Sequence, residues 1–254
     1  MNEKALSLGL SSTHFVTPHG LDDDEHYTTA YELALITDSA LNNETLKKIV
    51  GTHNYTVTIS GRPKTISNTN ELLGVLEGVY GVKTGFTGQA GRCLVSSTKR
   101  NDLDIITVVL GSDTKKIRTQ DSAKLINYSF NNFTLIDLES KIKEKYNYFK
   151  KYIEPNIEIY KAKPEIKFDT YLSNITYKKY PMKKNSIYNI NITLDSTDYL
   201  EAPIPKNYSI GKISIFIGND YLFDCKILVK SDIDRKDFFY YFRSFITEYK
   251  LFFW

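Results

Sequence analysis

Apolar positions recur with two different periods along this chain, and the change of period divides it. In TTAYELALITDSALN, residues 28–42, the residues Tyr31, Leu33, Ala34, Leu35, Ala40 and Leu41 follow the helical repeat. Thr29 is a good N-cap residue, and Glu32 three positions later completes a capping box. A second short helix is predicted at about 44–50. Upstream, Ala5, Leu6 and Leu8 read as a helix end closed by Gly9, and residues 11–27, with Pro18, Gly20 and three successive aspartates, read as a loop. Residues 54–60 alternate Tyr55, Val57 and Ile59 with Thr and Ser, which predicts a half-buried strand turning at Gly61–Arg62–Pro63. Strands are also predicted at 79–86, 92–98 and 103–110, the last two forming a hairpin around Lys99–Asp102. Residues 115–130 return to the helical period through Ile117, Ala123, Leu125, Ile126 and Tyr128. Strands closed by a helix predict an antiparallel sheet with helices packed on it.

The second half has another character. KIKEKYNYFKKY is charged and aromatic and Pro155 follows it, so a boundary is expected over 133–155. From about 156 to 231 the period becomes two, through Ile157–Ile159, Ile187 to Ile192 and Ile213–Ile217. Turn signals fall at Pro164, Pro181, Pro203, Pro205 and Gly218–Asn219–Asp220, which predicts a small all-β module. In the last segment Phe238, Tyr241, Phe242, Phe245, Tyr249, Phe252 and Phe253 recur three or four apart, ahead of Trp254. Such an amphipathic aromatic helix fits a membrane interface, or packing on its own domain. The expected division is 1–135 for a helix-and-sheet domain, 136–155 for a linker, 156–231 for the β-rich domain and 232–254 for the terminal helix. The fold class is α+β.

Composition narrows the function classes. With 254 residues, 41% hydrophobic and 25% charged, the chain can bury a sizeable core, in one large domain or two small ones. A net charge of +3 is too balanced for a dedicated nucleic-acid binder, so no nucleic-acid partner is expected. Two cysteines, Cys93 and Cys225, make no disulfide scaffold and read as buried free thiols, Cys93 in the core of a strand. MNEKALSLGL lacks a cationic start followed by an apolar run, so it is not read as an export signal, and no run of 18 apolar residues occurs. His14, His19 and His26 share a loop with Asp22, Asp23 and Asp24, but their spacing matches no compact ligand pattern and reads as a polar loop. No metal or organic cofactor is expected.

The sharpest chemistry lies in VYGVKTGFTGQAGRCLVSS, residues 79–97. Lys83 on a strand can project into a cleft as a fixed cation, Thr84 and Thr87 offer hydroxyls, and Gly85 lets a ligand or backbone approach closely. Such a strand edge suits a carboxylate, or a peptide held by strand addition. A solvated lysine before a turn is the plainer reading of a K-T-G tripeptide taken alone.

The surrounding residues resemble the serine D-alanyl-D-alanine carboxypeptidases, the low-molecular-mass penicillin-binding proteins, whose third signature motif is K-T-G. MNEKALSLGLSSTHFVTPHGLDDDEHYTTAYELALIT is similar to the family segment running through a T-x-F-x-x-P-x-G-L loop into the next helix. NTNELL, AGRCLVSSTKRNDLDIITVVLGS, and the closing helix with Arg118 and AKLINYSF are similar at matching distances. DYLEAPIPKNYSIGKISIFIGNDYL resembles the family's C-terminal β-rich domain, and the aromatic helix its membrane-associating tail. The resemblance implies the C-terminal part of a β-lactamase/transpeptidase-like domain, an all-β domain and an amphipathic helix, working at the extracytoplasmic face of the cell membrane. It implies removal of the terminal D-alanine from the peptidoglycan stem peptide, β-lactams as family ligands, and a cleft holding Lys83, Thr84, Gly85, Thr87 and Arg118. Arg118 matches a family arginine near the substrate carboxylate, or is a surface arginine on a helix.

The family's nucleophile motif, Ser-x-x-Lys, and its Ser-x-Asn motif belong upstream of the matching segment. Ser96–Lys99 spells Ser-x-x-Lys but lies on a strand and turn rather than at the start of a buried helix. The chain is therefore expected to begin inside the family's catalytic domain and to leave one sheet face uncovered, with poor solubility. A non-catalytic remnant, an envelope-binding module and one half of a split enzyme are the alternatives. Acyl transfer needs a nucleophile and its base within hydrogen-bond reach. This chain alone is expected not to acylate, so a labelled β-lactam should leave no covalent adduct on the purified chain, and a retained adduct overturns the expectation.

Overall fold

The computed structural model describes residues 1–163 and 166–251, apart from the side chains of Tyr188 and of residues 248–251. The chain forms two compact units, Met1–Thr134 and Leu135–Trp254.

The first unit opens with α1 (Asn2–Ser7), closed by Gly9 at φ +72°, a left-handed cap that favours glycine. The loop after it ends at α2 (Ala30–Leu41), where the Thr29 hydroxyl accepts the Glu32 N–H at 3.1 Å. The capping box is only half formed. Glu32 does not reach back to Thr29; its carboxylate accepts the N–H groups of Ser11 and Ser12 at 3.0 and 2.9 Å and the Thr13 hydroxyl at 2.5 Å. The Thr13 hydroxyl, with those two amides, holds the Glu32 carboxyl below the usual range against the opposing effect of burial. A residue expected to cap its own helix instead fastens the preceding loop to it. Asn43 caps α3 (Glu44–Val50) through the Leu46 N–H at 3.0 Å.

Next comes a hairpin of β1 (Asn54–Ile59) and β2 (Arg62–Ser67). Its alternation was expected to mark a half-buried strand, but nearly every residue on both faces is exposed. The turn is Ser60–Gly61, both at positive φ, so Arg62 and Pro63 begin the second strand instead of making the turn. Pro63 lacks an N–H donor, and it is tolerated in a two-stranded ribbon whose outer edges are open.

The sheet of this unit is antiparallel, in the order β3 (Val79–Thr87), β4 (Gly91–Arg100), β5 (Leu103–Ser112). Gly78 enters it at φ +82°, where a Cβ would lie 2.3 Å from the Lys99 carbonyl oxygen, so only glycine fits. The Thr114 hydroxyl caps α4 (Lys115–Asn132), which packs on β4 and β5 through Ile126 against Leu94 and Leu72. The expected uncovered face is not found at the middle strand, since Leu94 through Thr98 are buried on both sides. Exposed apolar groups lie on the outer strands instead, at Phe86 and Leu110.

The strand β6 (Phe133–Asp137) spans the boundary between the units and pairs with a later strand, and α5 (Leu138–Tyr152) of the second unit follows. The segment 136–155, expected as a linker, is thus mostly helix. Leu138, Ile142 and Phe149 are fully buried at helical spacing, and Asp137 caps the helix through the Ser140 N–H at 2.9 Å. Short strands β7 (Glu158–Tyr160), β8 (Thr170–Leu172) and β9 (Lys179–Lys183) come next. They are followed by β10 (Ile190–Ser196), β11 (Tyr199–Glu201), β12 (Ser209–Ile217) and β13 (Asp220–Val229). The main sheet runs β10-β12-β13-β8 and is antiparallel; β6 pairs with β9, and β7 with β11 in parallel. Pro181 lies inside β9 rather than at a turn, whereas Gly218–Asn219 does turn β12 into β13.

Ile213 and Ile215 of β12 and the alternating Phe223, Cys225, Ile227 and Val229 of β13 form the core with the buried face of α5. Burial pushes the Cys225 thiol up to about 11, which makes it inert at neutral pH. A polar network ties α5 to β8. Lys150 bridges Glu154 and Asp169 at 2.6 Å each, and the buried Thr170 hydroxyl donates to Glu154 at 2.6 Å. The final helix, α6 (Phe238–Leu251), begins six residues later than expected because Ile233 is buried and bridged to Ile204.

The core role of α5 has a direct check. Phe149→Ala should cost about 3–5 kcal/mol of stability in urea unfolding followed by circular dichroism, whereas Tyr148→Ala, on the exposed face, should cost under about 1 kcal/mol. Equal and negligible losses would return the segment to linker status.

Candidate functional site

The site grows from a four-residue stretch ahead of β3. In Asn68-Thr69-Asn70-Glu71 the asparagines turn inward and the other two outward. Asn70 is buried; its side-chain amide donates to the Gly81 carbonyl of β3 at 2.9 Å and its side-chain oxygen accepts the Leu72 N–H at 3.1 Å. Asn68 donates to the carbonyls of Val50 and Thr52, at 3.1 Å each. The stretch is thereby fixed to both α3 and β3. Thr69 then meets Thr84, hydroxyl to hydroxyl, at 2.7 Å. Glu71 meets α4, where its Oε2 accepts from Arg118 Nη2 at 3.2 Å and from the Thr119 hydroxyl at 2.5 Å.

These residues line a cleft of about 1110 Å³ that also takes in Lys83, Gly85, Thr87, Arg92 and Lys115. All five residues singled out from the sequence, Lys83, Thr84, Gly85, Thr87 and Arg118, line it. Their local roles differ. Lys83 Nζ folds onto the Thr84 carbonyl at 2.5 Å. At Gly85 an added Cβ would meet nothing closer than Cys93 Cβ at 3.7 Å, so the protein's own packing does not demand glycine, and the strand backbone stays bare in the cleft. The Thr87 hydroxyl accepts the Ala90 N–H at 3.0 Å and closes the β3–β4 turn. Arg118 is only 3% exposed, which removes the surface reading of this residue.

Cys93, expected in the core, is half-buried and lines the cleft, its Sγ 3.4 Å from the Ala90 carbonyl oxygen. Arg92 lies over the Phe86 ring, 3.4 Å from its centroid, and forms a flat cationic wall. His19 and His26 reach the cleft, but their ring nitrogens accept the local Leu21 and Val16 N–H groups. Among the described residues no group of three or more His, Cys, Asp or Glu is arranged to hold a metal ion.

Among the described residues that line the cleft there is no serine. Ser96 of the Ser96–Lys99 match is buried in β4. The same spacing also occurs at Ser112–Lys115, Ser140–Lys143 and Ser209–Lys212, and Ser129–Asn131 spells Ser-x-Asn, so the letters are present although the motifs are not. Ser112 is buried at the end of β5 outside the cleft lining, while Lys115 opens α4 and does line it. Thr69, Glu71, Arg92 and Lys115 were not singled out from the sequence. The signal for the first two was their position on either side of Asn70, whose burial leaves Thr69 and Glu71 in the cleft lining.

Residues 1–114 match the family D-alanyl-D-alanine carboxypeptidase, and residues 156–235 match the penicillin-binding protein 5, C-terminal domain. The D-alanyl-D-alanine carboxypeptidase DacF of Bacillus subtilis is 28% identical over 239 residues, covering 94% of this chain and 59% of the relative. DacA of Haemophilus influenzae is 30% identical over 241 residues, covering 94% of this chain and 58% of that protein. The crystal structure of penicillin binding protein 5 from Haemophilus influenzae aligns with a TM-score of 0.62 at 25% identity, over 92% of this chain and 64% of that one. The chain thus spans under two thirds of the length of these relatives. With both of its units matched in order and the K-T-G strand at the head of its cleft, the chain belongs to the D-alanyl-D-alanine carboxypeptidase family of low-molecular-mass penicillin-binding proteins.

Proposed function

We propose that this chain carries the substrate-gripping side of a serine-type D-alanyl-D-alanine carboxypeptidase acting on the peptidoglycan stem peptide. One observation carries the reading. The Lys83-Thr84-Gly85 strand and the buried Arg118 share a cleft in which, among the described residues that line it, Lys83, Arg92, Lys115 and Arg118 stand with a single carboxylate, that of Glu71. Such a surplus of positive charge suits an anionic ligand, and a peptide ending in a free carboxylate supplies one. In this reading Thr84 and Arg118 bind the terminal carboxylate, Lys83 adds its charge, and the bare backbone at Gly85 aligns the peptide against β3. Thr87 shapes the turn beside them. The chain grips the substrate, and the acylated serine lies outside its cleft.

The reading extends to a membrane surface. At 3.6 residues per turn, Phe238, Phe239, Tyr241, Phe242, Phe245 and Ile246 fall on one side of α6, and Arg243, Ser244 and Thr247 on the other. All six side chains are largely exposed, Phe238 by 74%, which leaves apolar surface on this side of the helix in contact with solvent. Phe252, Phe253, Trp254 and the side chain of Tyr249 lie outside the described residues. Among the described residues no helix is long and apolar enough to cross a membrane, so an interfacial helix is the mode proposed, at the extracytoplasmic face where the substrate lies.

Two experiments test these readings. Titration of the isotope-labelled chain with N-acetyl-D-alanyl-D-alanine should shift the backbone amides of residues 83–87, and Lys83→Ala combined with Thr84→Val should weaken binding on the order of ten-fold or more. Shifts elsewhere, or unchanged affinity in the double variant, refute the grip. For the helix, the chain should co-sediment with phosphatidylcholine vesicles containing phosphatidylglycerol. Phe242→Ser with Phe245→Ser should release it, since each buried phenylalanine contributes about 1.5–3 kcal/mol. Sedimentation that ignores both changes would assign membrane binding elsewhere.

A further inference from the structure

Within the cleft one pairing is chemically unexpected. Arg118, the arginine best placed to hold a ligand's carboxylate, already holds one. Glu71 Oε2 lies 3.2 Å from Arg118 Nη2, and the Thr119 hydroxyl steadies the same oxygen at 2.5 Å. The partners are unequal. Arg118 is 3% exposed and set in the first turn of α4, whereas the Glu71 side chain is 46% exposed. Moving the arginine would strand a buried charge, but moving the glutamate returns a carboxylate to water, where it is well solvated. The acid is therefore the member that yields. Glu71 also leaves the guanidinium incompletely satisfied, because Arg118 Nε is buried with no hydrogen-bond partner. Its backbone does not yield with it, since Asn70 is clamped to Gly81 one residue away, so a displaced side chain stays within reach of the arginine.

We infer that Glu71 is a built-in competitor for the ligand's carboxylate, an internal anion that occupies Arg118 in the empty cleft and must be displaced on binding. The inference rests on the carboxylate-binding reading of the cleft and deepens it by naming a residue that sets affinity and selectivity. A ligand with a free terminal carboxylate replaces one charge-assisted bond by another. A ligand ending in a neutral amide offers no such exchange and leaves Glu71 in place. Glu71 thus lowers the affinity for all anions and leaves neutral peptides unaffected, which keeps a strongly cationic cleft from retaining any passing anion.

The probes are N-acetyl-D-alanyl-D-alanine and its C-terminal amide, titrated into the full chain with backbone amide shifts as the readout. Glu71→Gln should bind the acid about ten-fold more tightly than the parent, the scale of one charge-assisted hydrogen bond, with the amide's affinity unchanged. Thr119→Val, which removes the second hold on Glu71, should tighten acid binding by a smaller factor. Acid binding by Glu71→Gln that is equal to or weaker than the parent's, in a variant with a native-like spectrum, overturns the inference and makes Glu71 a positioning residue for Arg118. Should Glu71→Gln fail to fold, Thr119→Val decides, and no tightening there overturns the inference. A parent chain that binds the acid no better than the amide overturns the carboxylate reading itself, and the inference with it; that outcome is distinguished by the parent's behaviour alone.

Discussion

The buried side chain of Asn70 is the constraint on which the cleft depends. Its amide satisfies the Gly81 carbonyl and its oxygen satisfies the Leu72 N–H. Removing it would leave both backbone groups unpaired away from water, at about 1–3 kcal/mol for each. The geometric consequence outweighs the energetic one. With Asn70 held against β3, its exposed neighbours lie in the cleft, where Thr69 meets Thr84 and Glu71 meets Arg118. Strand, preceding loop and helix α4 therefore meet at the cleft through one fixed register.

The two units are held together differently. The second buries a continuous set of isoleucines from its main sheet against Leu138, Ile142 and Phe149 of α5, a core that resists change through packing. The first has a much smaller apolar cluster around Leu72, Leu94 and Ile126. Its loops are fastened by polar anchors instead: Glu32 holds residues 11–13, Asn68 holds the end of α3, and Asn70 holds β3. Hydrogen bonds of this kind contribute modestly when made and cost heavily when broken, so they fix conformation more than they add stability.

This difference explains what was legible in the sequence. The cap at Thr29, the three strands of the sheet and the K-T-G segment depend on local chemistry or a short motif, and each could be read directly. Helix α5 was hidden because lysines and two glutamates crowd the positions between Leu138, Ile142 and Phe149, and composition spoke louder than the period. Strand β2 was hidden by Pro63, a turn signal that an open ribbon tolerates. Cys93 looked like core because its strand is apolar, yet it faces the cleft from the end beside the β3–β4 turn. Glu32 and Glu71 are the instructive cases. Each sits where a local rule applies or nothing does, and each is claimed by partners far away in sequence, Ser11 to Thr13 for one and Arg118 for the other. Polar side chains are recruited by whichever unsatisfied donor the fold brings near, which local pattern does not encode.

The electrostatics of the cleft follow from the same logic. Four cations converge on it from β3, β4 and α4, and like charges brought together in a folded unit work against its stability. A small apolar core has little reserve to offset that repulsion. Glu71 relieves part of it from within, and does so at the position where a bound carboxylate would relieve it from outside. Folding and ligand binding thus draw on one electrostatic need, and a ligand that binds only the folded unit also stabilises it by mass action. In the proposed reading, the positive charge that would draw an anion to the cleft is the same charge that Glu71 partly offsets when the cleft is empty.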